Sequence, residues 1–434
     1  MKYCPRVYDY LYLDDPEGKI WLCPWMQQHE GVIGNLLESD IESCYNSEHA
    51  AKLRESVKDQ SFRFCRNEAC PHLQNNDLED ITLEEYERRE KEVYFPTDIS
   101  MAYDLICNQH CETCRKQVYS PPKNYAEKMS AIQEKIAPYL DHAAFISGSG
   151  HGDPFASKYM MKVLENLHPA NPNVKILLET NGVFFDEEHW QRIQHLKDFY
   201  LEIVVTINSF DKFTYEHVSR GGLYEKLMHN LDFMSQLRKK NYINVLTQSM
   251  VIQDRNFREI PSFIERSFRD YCFDSVVLKP VYQWGTMDED VYWFKDVLNP
   301  MHPYHEEYLE ILKHPALQDP RVYNFGGETS HEARPFPGSG AQLQKTAAQD
   351  QCIAEKERLI AKLQEELRCC QERSNHAEAA MNDQERRIRE LKTRIETELW
   401  DLDKRFTDIQ NSISFRIGRA VTCLPRKIRD AGRK

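Results

Sequence analysis

From residue 96 to about residue 300, short apolar runs alternate with stretches whose apolar positions recur every three or four residues. The runs at 98–106, 143–148, 174–180, 201–208, 243–252 and 274–282 predict strands. Between them, 125–139, 158–167, 187–196, 224–237 and 257–268 carry the helical period. Strands separated by helices pair in parallel, so the pattern predicts an α/β class with six β/α units. In such sheets reactive groups collect at the C-terminal ends of the strands.

A second pattern starts at Ile360. Positions 360, 363, 367, 370, 374, 377, 381, 384, 388, 391 and 395 step by three and four, an a/d seam with a small and polar middle. Two steps of four at Ile395 and Leu399 form a stutter that locally unwinds a supercoil. The seam predicts a coiled coil that joins copies of the chain, with Cys369 and Cys370 as packing residues. Residues 412–434 follow with seven Lys/Arg against one Asp, and Ile413, Ile417, Val421 and Leu424 share one helical face. A basic amphipathic helix suits an anionic membrane surface.

Composition changes this picture in three places. The chain has 434 residues, 41% of them hydrophobic, enough for two or three domains and a real core. Its mean hydropathy of −0.67 is accounted for by the polar seam region. A balance of 56 basic to 69 acidic residues, net −13, argues against a general nucleic-acid binder. Neither a secretory apolar region nor an 18-residue apolar stretch is present. Thirteen cysteines without a signal peptide point to a reducing, cytoplasmic setting and to metal ligation before disulfides, with the basic tail placing the chain at the inner face of a membrane.

The cysteines fall in two sets. Cys107, Cys111 and Cys114 lie within eight residues, directly after the first barrel strand, and the next cysteine downstream is Cys272. Soft sulfur ligands at this spacing suit an iron–sulfur cluster or zinc. On a cubane of four irons, three thiolates leave one iron open to chemistry. The earlier set is Cys4, Cys23, Cys65 and Cys70, with Gly18 at a turn that brings the second beside the first. A zinc ribbon stays open there, although the Cys-x18-Cys spacing fits it poorly. Cys44 lies on a short helix that Ser39 or Asp40 caps, and packs there.

The Cys107-x3-Cys111-x2-Cys114 loop after a first strand resembles the radical S-adenosylmethionine (SAM) enzymes. The resemblance covers roughly residues 1–315 and implies a partial (β/α)6 barrel. It also implies a 4Fe–4S cluster on the three cysteines, SAM on the open iron, and a 5′-deoxyadenosyl radical that takes hydrogen from a substrate. His151-Gly152-Asp153-Pro154, preceded by Gly150, is similar to the family's Gly-Gly-Glu-Pro segment, whose backbone contacts SAM, with His151 for the first Gly and Asp153 for Glu as departures. Thr206, Asn208 and Arg220 fall where the family contacts SAM, the Arg at its carboxylate. Thr113 stands where many members have an aromatic against adenine. The N-terminal set resembles the SPASM/twitch module, which implies a second iron–sulfur cluster on Cys4, Cys23, Cys65 and Cys70, here ahead of the barrel.

The resulting division is 1–75 auxiliary module, 76–95 linker helix, 96–315 barrel, 316–345 linker, 346–411 coiled coil and 412–434 tail. Trp284-Gly285, His302-Pro303 and the basic tail resemble segments in proteins near surface-polysaccharide genes, which implies a sugar or nucleotide sugar, oxidised or epimerised. His302 and His305 are read as packed residues. A peptide is the rival substrate, disfavoured because ligands from residue 4 onward leave no room for a leader-binding domain. A metal-stabilised scaffold is the non-enzyme alternative. The resemblance also implies a flavodoxin or ferredoxin as electron donor.

Overall fold

The computed structural model describes residues 1–411 apart from Gln28, residues 68–69, 93–94 and 329–332, and Ser339; along the last helix only some side chains are described. The predicted tail at 412–434 lies outside the described residues. Two compact units divide the chain, 1–349 and 350–434.

The first unit is built on a ten-stranded sheet. Its strands are β1 (Tyr10–Leu13), β2 (Lys19–Trp21), β3 (Val32–Asn35), β4 (Asp98–Met101), β5 (Phe145–Gly148), β6 (Lys175–Thr180), β7 (Tyr200–Thr206), β8 (Val245–Ile252), β9 (Ser275–Pro280) and β10 (Val322–Asn324). Their spatial order is β10-β9-β8-β7-β6-β5-β4-β1-β2-β3. From β4 to β9 every neighbour is the next strand in sequence and every pairing is parallel. This is the α/β arrangement of six β/α units that the alternating pattern predicts.

Alternation within the strands makes the two faces. In β7, Leu201, Ile203 and Val205 are fully buried, while Glu202, Val204 and Thr206 point to the other face. After α1 (Glu48–Lys58) and α2 (Leu83–Glu92) in the chain, the covering helices α3 (Tyr125–Leu140), α4 (Lys158–Glu165), α5 (Glu187–Ile193), α6 (Lys212–Val218), α7 (Tyr224–Lys239) and α8 (Ile260–Arg269) start after the strand ends. Three of them have side-chain caps: Ser157 accepts from Tyr159 N and Met160 N, Asp186 from His189 N, and Asp211 from Thr214 N. α9 (Glu289–Lys295) follows β9.

Two expectations need correction. The first barrel strand stops at Met101 instead of running to 106. Buried Asp104 takes the next segment out of the ladder, accepting from Tyr125 Oη at 2.6 Å and from Ile106 N at 3.0 Å. Residues 1–75 are also no separate module. β1 pairs in parallel with β4, Tyr10 opposite Asp98, so the N-terminal strands extend the barrel sheet. Gly18 makes the β1–β2 turn at φ +81°, where a side chain would meet Asn35 and Leu37. Cys44 is buried against Gly34, which leaves no room there for a Cβ.

The last helix, α10 (Gly340–Asn411), has 72 residues, about 108 Å at 1.5 Å per residue. Leu363, Leu367, Met381, Ile388, Leu391, Ile395, Leu399 and Leu402 of its seam are all more than half exposed. Among the described residues no helix is long and apolar enough to cross a membrane.

Candidate active site

The loop leaving β4 is pinned from several sides. Arg115 donates to Leu105 O at 2.7 Å and to His151 O, and stands 3.7 Å from the Cys114 sulfur. Gln109 N lies 3.4 Å and Asn181 Nδ2 3.6 Å from the Cys107 sulfur. His110 N donates to Arg220 O at 2.9 Å. Burial pushes the Cys107 thiol up to about 11 and the Cys111 thiol up to about 12. Thiolates here therefore need a positive group to bind.

Cys107, Cys111 and Cys114 line a cavity of about 520 Å³ at the C-terminal ends of the strands. Gly150, His151, Gly152 and Asp153 line it from the end of β5, and Thr206 and Asn208 from the end of β7. A Cβ on Gly152 would strike the carbonyl oxygens of Asp104 and Ile106, so the cysteine loop passes directly over this residue. Asp153 faces inward but is committed to the fold. Its carboxylate accepts from Thr180 Oγ1 and Asn181 N at 2.8 Å, Phe155 N at 3.0 Å and Ala156 N at 3.1 Å. Burial still raises its carboxyl above the ordinary value. Asn208 ties β7 to β8, accepting from Val251 N at 2.9 Å.

Arg220 is placed differently from the other candidates. It stands outside the cavity lining, with Nη2 2.9 Å from Oε1 of Glu112, inside the cysteine loop. Glu112 also meets Lys295 Nζ at 2.7 Å and His217 Nε2 at 4.0 Å. Lys295 is 5% exposed and reaches Asp254 as well, at 3.5 Å. Burial alone would raise the Glu112 carboxyl; Lys295 and then Arg220 bring it below the ordinary value.

Residues 105–266 match the family model described as the radical SAM superfamily. This chain carries a radical SAM domain. The family uses a 4Fe–4S cluster and SAM, and the chain is a radical SAM enzyme. Similar solved structures include SuiB of Streptococcus suis bound to S-adenosylmethionine, at 11% identity and a TM-score of 0.37, over 72% of this chain and 71% of that one. A radical SAM methyltransferase from Sphaerobacter thermophilus is similar at 15% identity and a TM-score of 0.29, over 55% of this chain and 66% of that one. No curated protein matches the chain.

Beside the radical SAM domain, Cys4, Cys23, Cys65 and Cys70 line one small cavity together with Arg6. Burial pushes Cys4 up to about 11 and both Cys23 and Cys65 up to about 12. Four sulfurs form the soft donor set that iron–sulfur groups take. Among the described residues no three His, Cys, Asp or Glu side chains reach the spacing of a single-ion site. A tetrahedral zinc with 2.3 Å bonds would hold its sulfurs about 3.8 Å apart.

Two residues of the radical SAM site, Arg115 and Lys295, escape a reading of motifs, whereas Asn181 sits within Thr180-Asn181-Gly182, which resembles the family's Thr-Asn-Gly. Arg115 follows the third cysteine, so it stood next to a visible signal. Lys295 did not, although a lysine closing the run Val291-Tyr-Trp-Phe294 is an unusual charge in an apolar stretch. His302 and His305 are packed, bonding Phe294 O at 2.7 Å and Val297 O at 3.0 Å.

Proposed function

We propose that the chain oxidises or epimerises a sugar or nucleotide sugar, in cell-surface polysaccharide biosynthesis. Cys107, Cys111 and Cys114 would hold the SAM cluster, and Cys4, Cys23, Cys65 and Cys70 a second iron–sulfur group. The observation that carries this is the shared cavity. Trp25, two residues after Cys23, and Pro71, next to Cys70, line the same space as the three loop thiols. Its volume falls within the range for small-molecule sites. When bound, the cluster and SAM supply the 5′-deoxyadenosyl radical that takes hydrogen from the substrate.

The oxidation also releases an electron, which the second iron–sulfur group would accept, and a proton, for which the chain's own residues supply a place. His151 lines the cavity and its Nε2 lies 2.6 Å from Asp14 Oδ1, which also accepts from Tyr12 Oη at 2.6 Å. A carboxylate behind an imidazole orients the ring for proton transfer. Gly150, Gly152, Thr206 and Asn208 are the proposed SAM contacts, with Asp153 bracing them. Arg220 acts from outside, through Glu112. A flavodoxin or ferredoxin is the proposed electron donor.

The test is anaerobic reconstitution with SAM and a reductant. About eight irons are expected on a two-cluster stoichiometry, and about four after Cys65→Ala with Cys70→Ala. Wild type should form 5′-deoxyadenosine and Cys111→Ala should not. Wild-type production by Cys111→Ala would refute the cluster assignment. Zinc in place of the second four irons would make the N-terminal set a ribbon.

A further inference from the structure

The cavity has a second end, chemically unlike the cysteine loop. β9 finishes with Lys279 and Pro280, and the turn after it carries Tyr282 and Trp284; all four line the cavity. Besides His151, the basic side chains in that lining are Arg115 and Lys279. Arg115 is committed to Leu105 O, His151 O and the Cys114 sulfur. Lys279 makes no hydrogen bond or ion pair among the described residues. The same lining holds two carboxylates, Asp153 and Glu179, and neither lies within ion-pair distance of the Lys279 amine, which is left to meet an anion that enters the cavity.

The aromatic pair beside it is presented in the same way. Gln283 closes the turn, its Oε1 accepting from Gly285 N at 3.0 Å and its Nε2 donating to Met287 O at 3.0 Å. Gly285 takes φ +76°, which suits it to that bend. The turn is thus preformed, yet the Tyr282 and Trp284 rings, 5.7 Å apart and inclined by 59°, stay 43% and 56% exposed. Rings held open in a cavity wall offer flat area for a ligand ring to cover at small entropic cost. In sheet order β5 to β8 separate β9 from β4, whereas the proposed SAM contacts end β5 and β7.

The geometry points to a substrate subsite at this end. Lys279 takes an oxyanion of the substrate, and Tyr282 with Trp284 covers a ring joined to it, as a nucleoside diphosphate would present. This rests on the small-molecule reading proposed above and names the part of the substrate that the β9 end recognises.

The test titrates uridine diphosphate, and uridine as the uncharged comparison, into the reconstituted enzyme with SAM, following tryptophan fluorescence and calorimetry. Saturable binding of uridine diphosphate is expected. Lys279→Met should weaken it by about tenfold or more without changing the affinity for uridine, and Trp284→Ala should weaken both. Absence of binding to wild type overturns the subsite, as does equal binding by Lys279→Met. A loss of SAM affinity in Lys279→Met as large as the loss for uridine diphosphate also overturns it, by assigning the lysine to SAM. Formation of 5′-deoxyadenosine by wild type, read in the same samples, separates failure of the subsite from failure of the radical activity.

Discussion

Replacing Lys295 with Met should unseat the cysteine loop without touching it. The amine is 5% exposed and lies 2.7 Å from Glu112 and 3.5 Å from Asp254, itself 4% exposed. Removing one partner of a buried pair costs roughly 3–5 kcal/mol, because the remaining charge stays buried. Arg220 at 2.9 Å still faces Glu112, and Arg255 at 3.9 Å still faces Asp254. That places the loss near the lower end, about 3 kcal/mol, or about two orders of magnitude in the folding equilibrium. With a urea slope of about 3 kcal/mol/M, the midpoint should fall by about 1 M in the metal-free protein. Reconstituted Lys295→Met should also hold less iron, since Glu112 lies between Cys111 and Cys114. Adding Glu112→Gln should recover part of the stability, since a neutral amide no longer needs the lysine. A midpoint within about 0.2 M of wild type, or a double variant that loses the full sum, would refute the coupling.

Three further predictions follow from other parts of the structure. Burial pushes the Glu259 carboxyl, beside Ser209, up to about 7. The folded state then keeps a proton that the unfolded state releases near 4.5, so stability falls as pH rises from about 4.5 to about 7, by up to about 3 kcal/mol; Glu259→Gln should flatten a urea-midpoint profile across that window. Gly152→Ala should cost about 1–3 kcal/mol and lower iron uptake, because its Cβ meets backbone of the cysteine loop, while Gly150→Ala, whose Cβ lies 3.3 Å from Ala102 Cβ, should cost less; equal iron contents would refute this. The exposed seam of α10 should pair copies of the chain, since burying each Leu or Ile is worth roughly 1.5–3 kcal/mol and self-association has that gain to set against its entropy; sedimentation of the full-length chain as a monomer at micromolar concentration would count against it.

Local pattern carried most of the secondary structure. The strands at 174–180 and 243–252 and the helices from 125, 158, 187 and 224 were legible because one face of each element is apolar at its own period. The three-thiol loop was legible for a similar reason, since its thiols are neighbours in sequence. The N-terminal cysteines were legible only as a list: that Cys4, Cys23, Cys65 and Cys70 line one cavity depends on a hairpin turn at Gly18 and on the path of the chain up to residue 70.

What the sequence determined by itself, then, was the alternation of strand and helix, the thiol spacing and the a/d seam, all properties of residues a few positions apart. Tertiary structure decided which charges meet. Arg220 turns to Glu112, 108 positions away, and Lys295 joins it from the end of α9. β1 joins β4 across more than eighty residues, which makes the N-terminal segment an extension of the sheet. Lys279, opposite Val251 on β8, lines the cavity at the far side of the sheet from β4 and reaches neither of its carboxylates, Asp153 and Glu179. A long side chain binds the opposite charge that folding brings within reach, and that distance through space is not encoded in any local period.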